Sequence, residues 1–140
     1  MRDLDAIIAK SDILIEALPF LQRFRGRTFL VKVGGSAMDN PDLVAQHMRD
    51  IVFLETVGIR PIIVHGGGKA ISRAMEASGL EAKFIGGLRY TSEKAVELVN
   101  QTLSKEISPG LVKQLREFGG NAVALRGPTV FKREKITHTE

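Results

Sequence analysis

The sequence has 140 residues, of which 44% are hydrophobic and 26% are charged, with a formal net charge of +4 and no cysteine. This is the composition of one ordinary globular domain of roughly 150 residues, and it excludes a disordered, collagen-like or disulfide-rich chain. No apolar run approaches the roughly 18 residues of a membrane-spanning helix. The N-terminus lacks the pattern of a signal peptide, so we expect a cytoplasmic protein without a membrane partner.

The N-terminal segment predicts an amphipathic helix. Apolar residues recur at helical spacing from Leu4 to Leu21. Ser11, Asp12 and Pro19 interrupt the pattern, so that either two short helices or one kinked helix is expected. Two interpretations remain open for this segment: it packs on its own domain, or it is exposed and docks on a second subunit.

Two β-branched runs predict buried strands, and each run ends in a cluster of glycines. Residues 28–33 are followed by Gly34 and Gly35, and residues 61–64 are followed by His65-Gly66-Gly67-Gly68. A helix is predicted after each cluster. The first is capped by Asn40 and Pro41 and ends near Gly58, and the second covers about 69–78 with Gly79 at its end.

The second half of the chain predicts a hairpin and further helices. The predicted elements are a glycine-broken hairpin over 84–90, a helix over 92–106, a helix from Ser108 to Gly119, a third buried strand over 122–125, and a polar tail over 128–140 with a short strand near Val130. Strands that alternate with helices predict an α/β fold, with a mainly parallel sheet and helices on both of its faces.

The glycine clusters mark the expected ligand site, because ligands of such sheets bind beyond the carboxyl ends of the strands. Glycine lets the backbone approach a ligand closely, and the helix N-terminus that follows attracts anions. The P-loop motif does not fit, because it needs Gly five residues before its Lys and Ser or Thr after it, whereas Lys69 has Val64 and Ala70 at these positions. The dinucleotide-binding fingerprint does not fit either, because Ile71 stands where its third glycine is needed. The pattern therefore predicts a different kind of site for anionic groups.

Individual side chains near the glycines suggest specific roles. Lys32 lies in an apolar strand, where it either meets a bound phosphate or points to water from an edge strand. Arg89 can grip a carboxylate with two parallel hydrogen bonds, and His65 is interpreted as a structural residue that bonds the loop backbone. The sequence predicts no metal-ligand cluster and no catalytic triad. Aromatic residues are only 6% of the chain, which argues against a nucleic-acid partner.

Three motifs occur in a characteristic order: Val31-Lys32-Val33-Gly34-Gly35-Ser36, His65-Gly66-Gly67-Gly68 and Gly87-Leu88-Arg89-Tyr90-Thr91. Together they resemble the amino acid kinase family, and the third narrows the resemblance to its acetylglutamate kinase branch. The acetylaminoadipate kinases of lysine biosynthesis are a close alternative. The resemblance implies a three-layer αβα sandwich with a mainly parallel central sheet, in which residues 27–140 form the N-terminal, amino-acid-binding lobe.

The resemblance also implies a reaction and a role for each motif. Kinases of this branch transfer the γ-phosphoryl group of ATP, which arrives with Mg²⁺, to the side-chain carboxylate of N-acetyl-L-glutamate in arginine biosynthesis. The site residues that the resemblance implies are Lys32 as the catalytic transition-state stabiliser, Lys32, Gly34 and Gly35 for phosphate binding, and Gly67, Gly68 and Arg89 for substrate binding.

Residues 1–26 resemble the N-terminal extension of the arginine-sensitive branch, in which a kinked helix joins dimers into hexamers. The similarity lies in Glu16-Ala17-Leu18-Pro19-Phe20. The family's C-terminal ATP lobe, with its substrate-binding Asn, orienting Asp and second catalytic Lys, cannot be mapped onto residues 1–140. A non-catalytic binding or oligomerisation module is therefore an alternative to an enzyme.

Overall fold

A computed structural model of the chain describes residues 2–80, 83–86, 88–90 and 92–127. The described residues form five α-helices and four strands. In chain order they are α1 (Arg2–Phe24), β1 (Thr28–Val33), α2 (Pro41–Thr56), β2 (Arg60–His65), α3 (Gly68–Ala77), β3 (Lys83–Ile85), β4 (Leu88–Tyr90), α4 (Glu93–Gln101) and α5 (Ser108–Glu117). A 3₁₀ helix over Gly35–Asp39 precedes α2.

The central feature is the parallel pairing of β1 with β2, with α2 as the crossover between them. Thr28 pairs with Arg60 at one end of the ladder and Val33 with His65 at the other. The local signals for α2 are confirmed, because Asn40 accepts a hydrogen bond from the amide of Asp42 at 2.9 Å and Pro41 is the first helical residue. β3 and β4 form the predicted hairpin as a separate antiparallel sheet.

One face of the β1–β2 sheet is covered by α2 and α5. Val31, Val33 and Ile63 point into this core, which is closed by helix residues that include Met48, fully buried, and Leu111. The opposite face is open among the described residues: Leu30 is 71% exposed, and its register partner Ile62 is 49% exposed. The prediction that both strands are buried is therefore wrong for this face, because no described helix packs on it.

The helices α4 and α5 form one continuous run through a π-helical turn over Thr102–Ile107. Two separate helices are predicted here, the second of which begins at Ser108 and Pro109. Within an α-helix, Pro109 lacks an amide hydrogen and its ring clashes with the carbonyl four residues earlier. The wider turn accommodates this: the amide of Ser108 bonds the carbonyl of Leu103, five residues back. The π turn therefore lets the chain pass the proline without ending the helix.

The prediction of a third strand over 122–125 is wrong, because these residues have no regular secondary structure. Val123 and Leu125 are each 71% exposed. A strand needs a partner for its backbone groups, and this segment is held instead by single contacts, such as the Arg116 guanidinium that donates to the carbonyl of Ala122 at 2.9 Å. The predicted strand near Val130 lies outside the described residues.

Helix α1 is one continuous helix that contains Pro19, which excludes the alternative of two short helices. Its apolar side chains are largely exposed, including Ile13, Leu14 and Ile15 at 64%, 67% and 65%. The described core clusters include none of its residues. Among the described residues, no helix has the combination of length and apolar character that a bilayer crossing requires.

Candidate functional site

The two glycine turns meet at the carboxyl end of the parallel strand pair. The amide of Gly66 donates to the carbonyl of Val33 at 2.9 Å. A Cβ placed on Gly34 would lie 3.9 Å from the Gly66 nitrogen, and one on Gly66 would lie 3.8 Å from the Gly34 Cα. Backbone therefore faces backbone across the site, as the sequence predicts for turns that follow neighbouring parallel strands.

Each turn leads directly into a helix whose first residues have no side-chain cap. Gly34 precedes the 3₁₀ helix and Gly67 precedes α3, and neither position accepts a capping hydrogen bond. Gly35 has φ of +62°, a left-handed conformation that favours glycine. Helix N-termini carry partial positive charge, so two of them side by side suit a ligand with more than one anionic group.

Lys32 lies on the open face of the sheet, beside these turns. Its Cα pairs with that of Val64 in β2, and its side chain is exposed. Both interpretations of Lys32 therefore stay predictions, because an exposed lysine beside the turns can face either water or a bound phosphate. No described carboxylate forms an ion pair with it, so its positive charge is available next to the glycine turns.

An ion pair that sequence reasoning missed joins the two turns. The Lys69 Nζ lies 3.0 Å from the Asp39 carboxylate, and their side chains are 73% and 23% exposed. Asp39 is the last residue of the 3₁₀ helix after the first turn, and Lys69 is the second residue of α3 after the second turn. An exposed pair of this kind contributes about 1 kcal/mol at most.

The backbone of Gly67 is packed against the π turn, which sequence reasoning also missed. A Cβ on Gly67 would lie 2.6 Å from the Ile107 Cδ1 and 3.0 Å from the Leu103 Cδ2. The φ of Gly67 is −164°, which any residue adopts. A side chain at this position would therefore displace the ends of Ile107 and Leu103. The apolar spacing of residues 99, 103 and 107 is the one signal that pointed to this face.

His65 has the structural role that was predicted for it. Its Nδ1 lies 3.2 Å from the carbonyl of Gly66 and donates to it, since a carbonyl oxygen only accepts. His47, on α2, bonds the carbonyl of Leu43 within its own helix. The third histidine, His138, lies outside the described residues.

The third motif is only partly described. Arg89 lies in β4, where its Cα pairs with that of Phe84 in β3. The Arg89 side chain lies outside the described part of the structure, as do Gly87 and Thr91. The role of Arg89 therefore stays a prediction. Among the described residues, no three His, Asp or Glu side chains come together in a way that could hold a metal ion.

Residues 27–139 match the family model described as "Amino acid kinase family". The match includes both glycine turns and Lys32. The chain belongs to the amino acid kinase family. Its α/β fold with a parallel strand pair is the one that the resemblance implied.

Curated relatives of this amino acid kinase are acetylglutamate kinases. The protein of that name from Akkermansia muciniphila is 52% identical over 130 residues, which are 93% of this chain and 44% of that protein. The acetylglutamate kinase of Methanocaldococcus jannaschii is 43% identical over 125 residues, 89% of this chain and 42% of that protein. The chain therefore spans less than half the length of these curated relatives.

Solved structures agree on the fold. The N-acetylglutamate synthase of Neisseria gonorrhoeae, complexed with coenzyme A and N-acetyl-glutamate, superposes with a TM-score of 0.62 at 24% identity, covering 75% of this amino acid kinase and 24% of that chain. The protein smu.665 of Streptococcus mutans UA159 superposes with a TM-score of 0.55 at 33% identity, covering 67% and 37%.

Proposed function

We propose that this chain is the acceptor-binding part of an acetylglutamate kinase, which phosphorylates the side-chain carboxylate of N-acetyl-L-glutamate with ATP in arginine biosynthesis. The observation that carries the proposal is the meeting of the Gly34 and Gly66 turns beside Lys32, in a chain whose curated relatives are named for this reaction. The cytoplasm is the expected location of such an enzyme.

The site suits a reaction between two anions. An acceptor carboxylate oxygen forms a bond to the γ-phosphorus while the bond from phosphorus to the β,γ-bridging oxygen breaks, and ADP leaves with that electron pair. The acceptor is already ionised, so no general base is needed. The main task is to position the two anions and to balance the negative charge that moves between them.

Named residues divide this task. Lys32 stabilises the charge on the transferring phosphoryl group, and the amides of the turn at Gly34 and Gly35 bind the phosphate. The backbone at Gly67 and Gly68 holds the acceptor, and Arg89 binds its α-carboxylate. Mg²⁺ bound to the ATP phosphates would supply further neutralisation of their negative charge.

A chimera tests the activity. Residues 1–127 replace the matching part of the Akkermansia acetylglutamate kinase, and ADP release is followed with N-acetylglutamate and with N-acetylaminoadipate. We expect ADP release that depends on N-acetylglutamate and a loss of kcat by about a hundredfold in Lys32→Ala. A folded chimera without turnover, or an unchanged rate in Lys32→Ala, contradicts the proposal.

The second candidate function is a non-catalytic binding or oligomerisation module, and the exposure of α1 favours the oligomerisation part of it. Helices with exposed apolar side chains are typical of surfaces that join subunits. We propose that α1 links copies of this chain, as dimers or hexamers, whichever function the site has. Turnover by the isolated 140-residue chain would exclude the non-catalytic alternative.

A further inference from the structure

We infer that Leu103 and Ile107, on the π turn, are positioning residues that set the place of the Gly67 and Gly68 backbone and so the affinity for the acceptor. The inference rests on the proposed function for the identity of the acceptor. Neither residue belongs to the glycine motifs, and neither is a ligand contact. They act through the backbone that they touch.

The first observation is steric. A methyl group on Gly67 would displace the ends of two side chains, because Ile107 Cδ1 and Leu103 Cδ2 would lie 2.6 and 3.0 Å from its Cβ. Packing of this density transmits small displacements, since protein interiors have few voids to absorb them. Two side chains of the π turn therefore pack against the turn at Gly67.

The second observation is the place of the π turn in the core. Ile107 packs on the cluster that α2 and α5 form, whereas Leu103 packs on the cluster of α3 and α4. The two π-turn side chains that approach Gly67 thus belong to different halves of the core, and Ile71 of α3 would lie 3.4 Å from the same Cβ. A π turn contains one residue more than an α-helical turn. Without that residue, the helix after it would be rotated by about 100°, and Leu103 and Ile107 would not both face Gly67.

The experiment is a double-mutant cycle on the 140-residue chain, with N-acetylglutamate affinity measured by calorimetry. Gly67→Ala adds the methyl group that the π turn excludes, and we expect affinity to fall about tenfold. Ile107→Val removes Cδ1, the atom closest to that methyl, and weakens binding about twofold on its own. The double variant is expected to recover most of the loss.

Two matched controls sharpen the cycle. Gly68→Ala adds a methyl with nothing within 4 Å, so Ile107→Val should not change the affinity of that variant. Leu103→Ala is expected to weaken binding about tenfold. Leu98→Ala removes a side chain from the same cluster that is not among the three nearest to a Cβ on Gly67, and should lower stability but leave affinity unchanged.

The outcomes separate the inference from the proposed function. A double variant as weak as Gly67→Ala, or equal affinities for Leu103→Ala and Leu98→Ala, overturns the positioning role. The amide resonances of Gly68 and Lys69 in ligand-free protein provide a second readout, which Gly67→Ala should shift and Ile107→Val should restore. Wild type that binds no N-acetylglutamate contradicts the proposed function, whereas resonances that the cycle leaves uncoupled contradict the inference.

Discussion

At the scale of single residues, two positions of this site are glycine for two different physical reasons. Gly35 is required by its backbone, whose φ of +62° disfavours any side chain, although a Cβ there would meet nothing within 4 Å. Gly67 is favoured by its neighbours, because a Cβ there would lie 2.6 Å from the Ile107 Cδ1. The sequence alone shows both as glycine and does not distinguish the two reasons.

Replacing Gly35 with alanine should lower the free energy of unfolding by about 1–2 kcal/mol, the cost of a left-handed conformation for an L-residue. Gly110→Ala is the matched control, since Gly110 lies in α5 with nothing within 4 Å of its Cβ. That variant should be stabilised by about 0.5–1 kcal/mol. Urea unfolding measures both, and equal effects at the two positions would refute the assignment of strain to Gly35.

Replacing Arg89 with alanine should weaken N-acetylglutamate binding by about ten- to a hundredfold, because a charge-assisted pair with the α-carboxylate is lost. Arg60→Ala removes the same charge from the amino end of β2, far along the strand from the glycine turns. It should leave affinity within about twofold of wild type. Calorimetry compares the two variants, and equal affinities would remove Arg89 from the site.

At the scale of elements, capping residues and glycines in the sequence predict the helix ends well. Contacts between residues that are distant in the sequence cannot be predicted in this way. Asn40 and Gly79 act within their own helix ends, so neighbouring residues suffice to assign them. Residues 122–125 carry a strand-like apolar run, but a strand depends on a partner, and none of the described strands pairs with this segment. The exposure of Lys32 depends on which sheet face the helices cover, and the contact of Gly67 with Ile107 joins positions 40 residues apart.

Substitutions on the exposed face of helix α1 should change the oligomeric state without changing the stability of the fold. Leu14→Glu combined with Ile15→Glu is expected to lower the mass of the particle in light scattering, because charges replace apolar side chains at the proposed subunit contact. The unfolding free energy should change by less than about 0.5 kcal/mol, as both residues are exposed. Lys10→Glu on the same helix is the control, and an unaltered mass in the double variant would exclude α1 as the contact.

At the scale of the whole molecule, the open face of the β1–β2 sheet is the most unusual feature. Parallel sheets are normally covered on both faces, yet Leu30, Ile62 and Val64 are exposed here. The curated relatives are more than twice as long as the matched segment. Their additional residues are the expected cover for this face.

The isolated chain should therefore bind a hydrophobic dye such as ANS, and the chimera with the Akkermansia protein should bind much less. Leu30→Ser combined with Ile62→Ser should reduce dye binding to the isolated chain, since it removes two of the three apolar side chains on this face, and the exposed side chains of α1 account for the dye that remains bound. Val96→Ser, at an exposed position of α4, is the control. Equal fluorescence from chain and chimera would show that the face stays open.

The two glycine turns and Arg89 form the proposed site for an N-acetylated acidic amino acid. Calorimetric titration of the 140-residue chain with N-acetyl-L-glutamate, beside L-glutamate, measures whether this site binds its ligand. We expect saturable binding of N-acetyl-L-glutamate at least about tenfold tighter than that of L-glutamate, because the acetylated ligand lacks the ammonium charge that the paired helix N-termini disfavour. Absence of binding, or equal affinity for the two compounds, would contradict it.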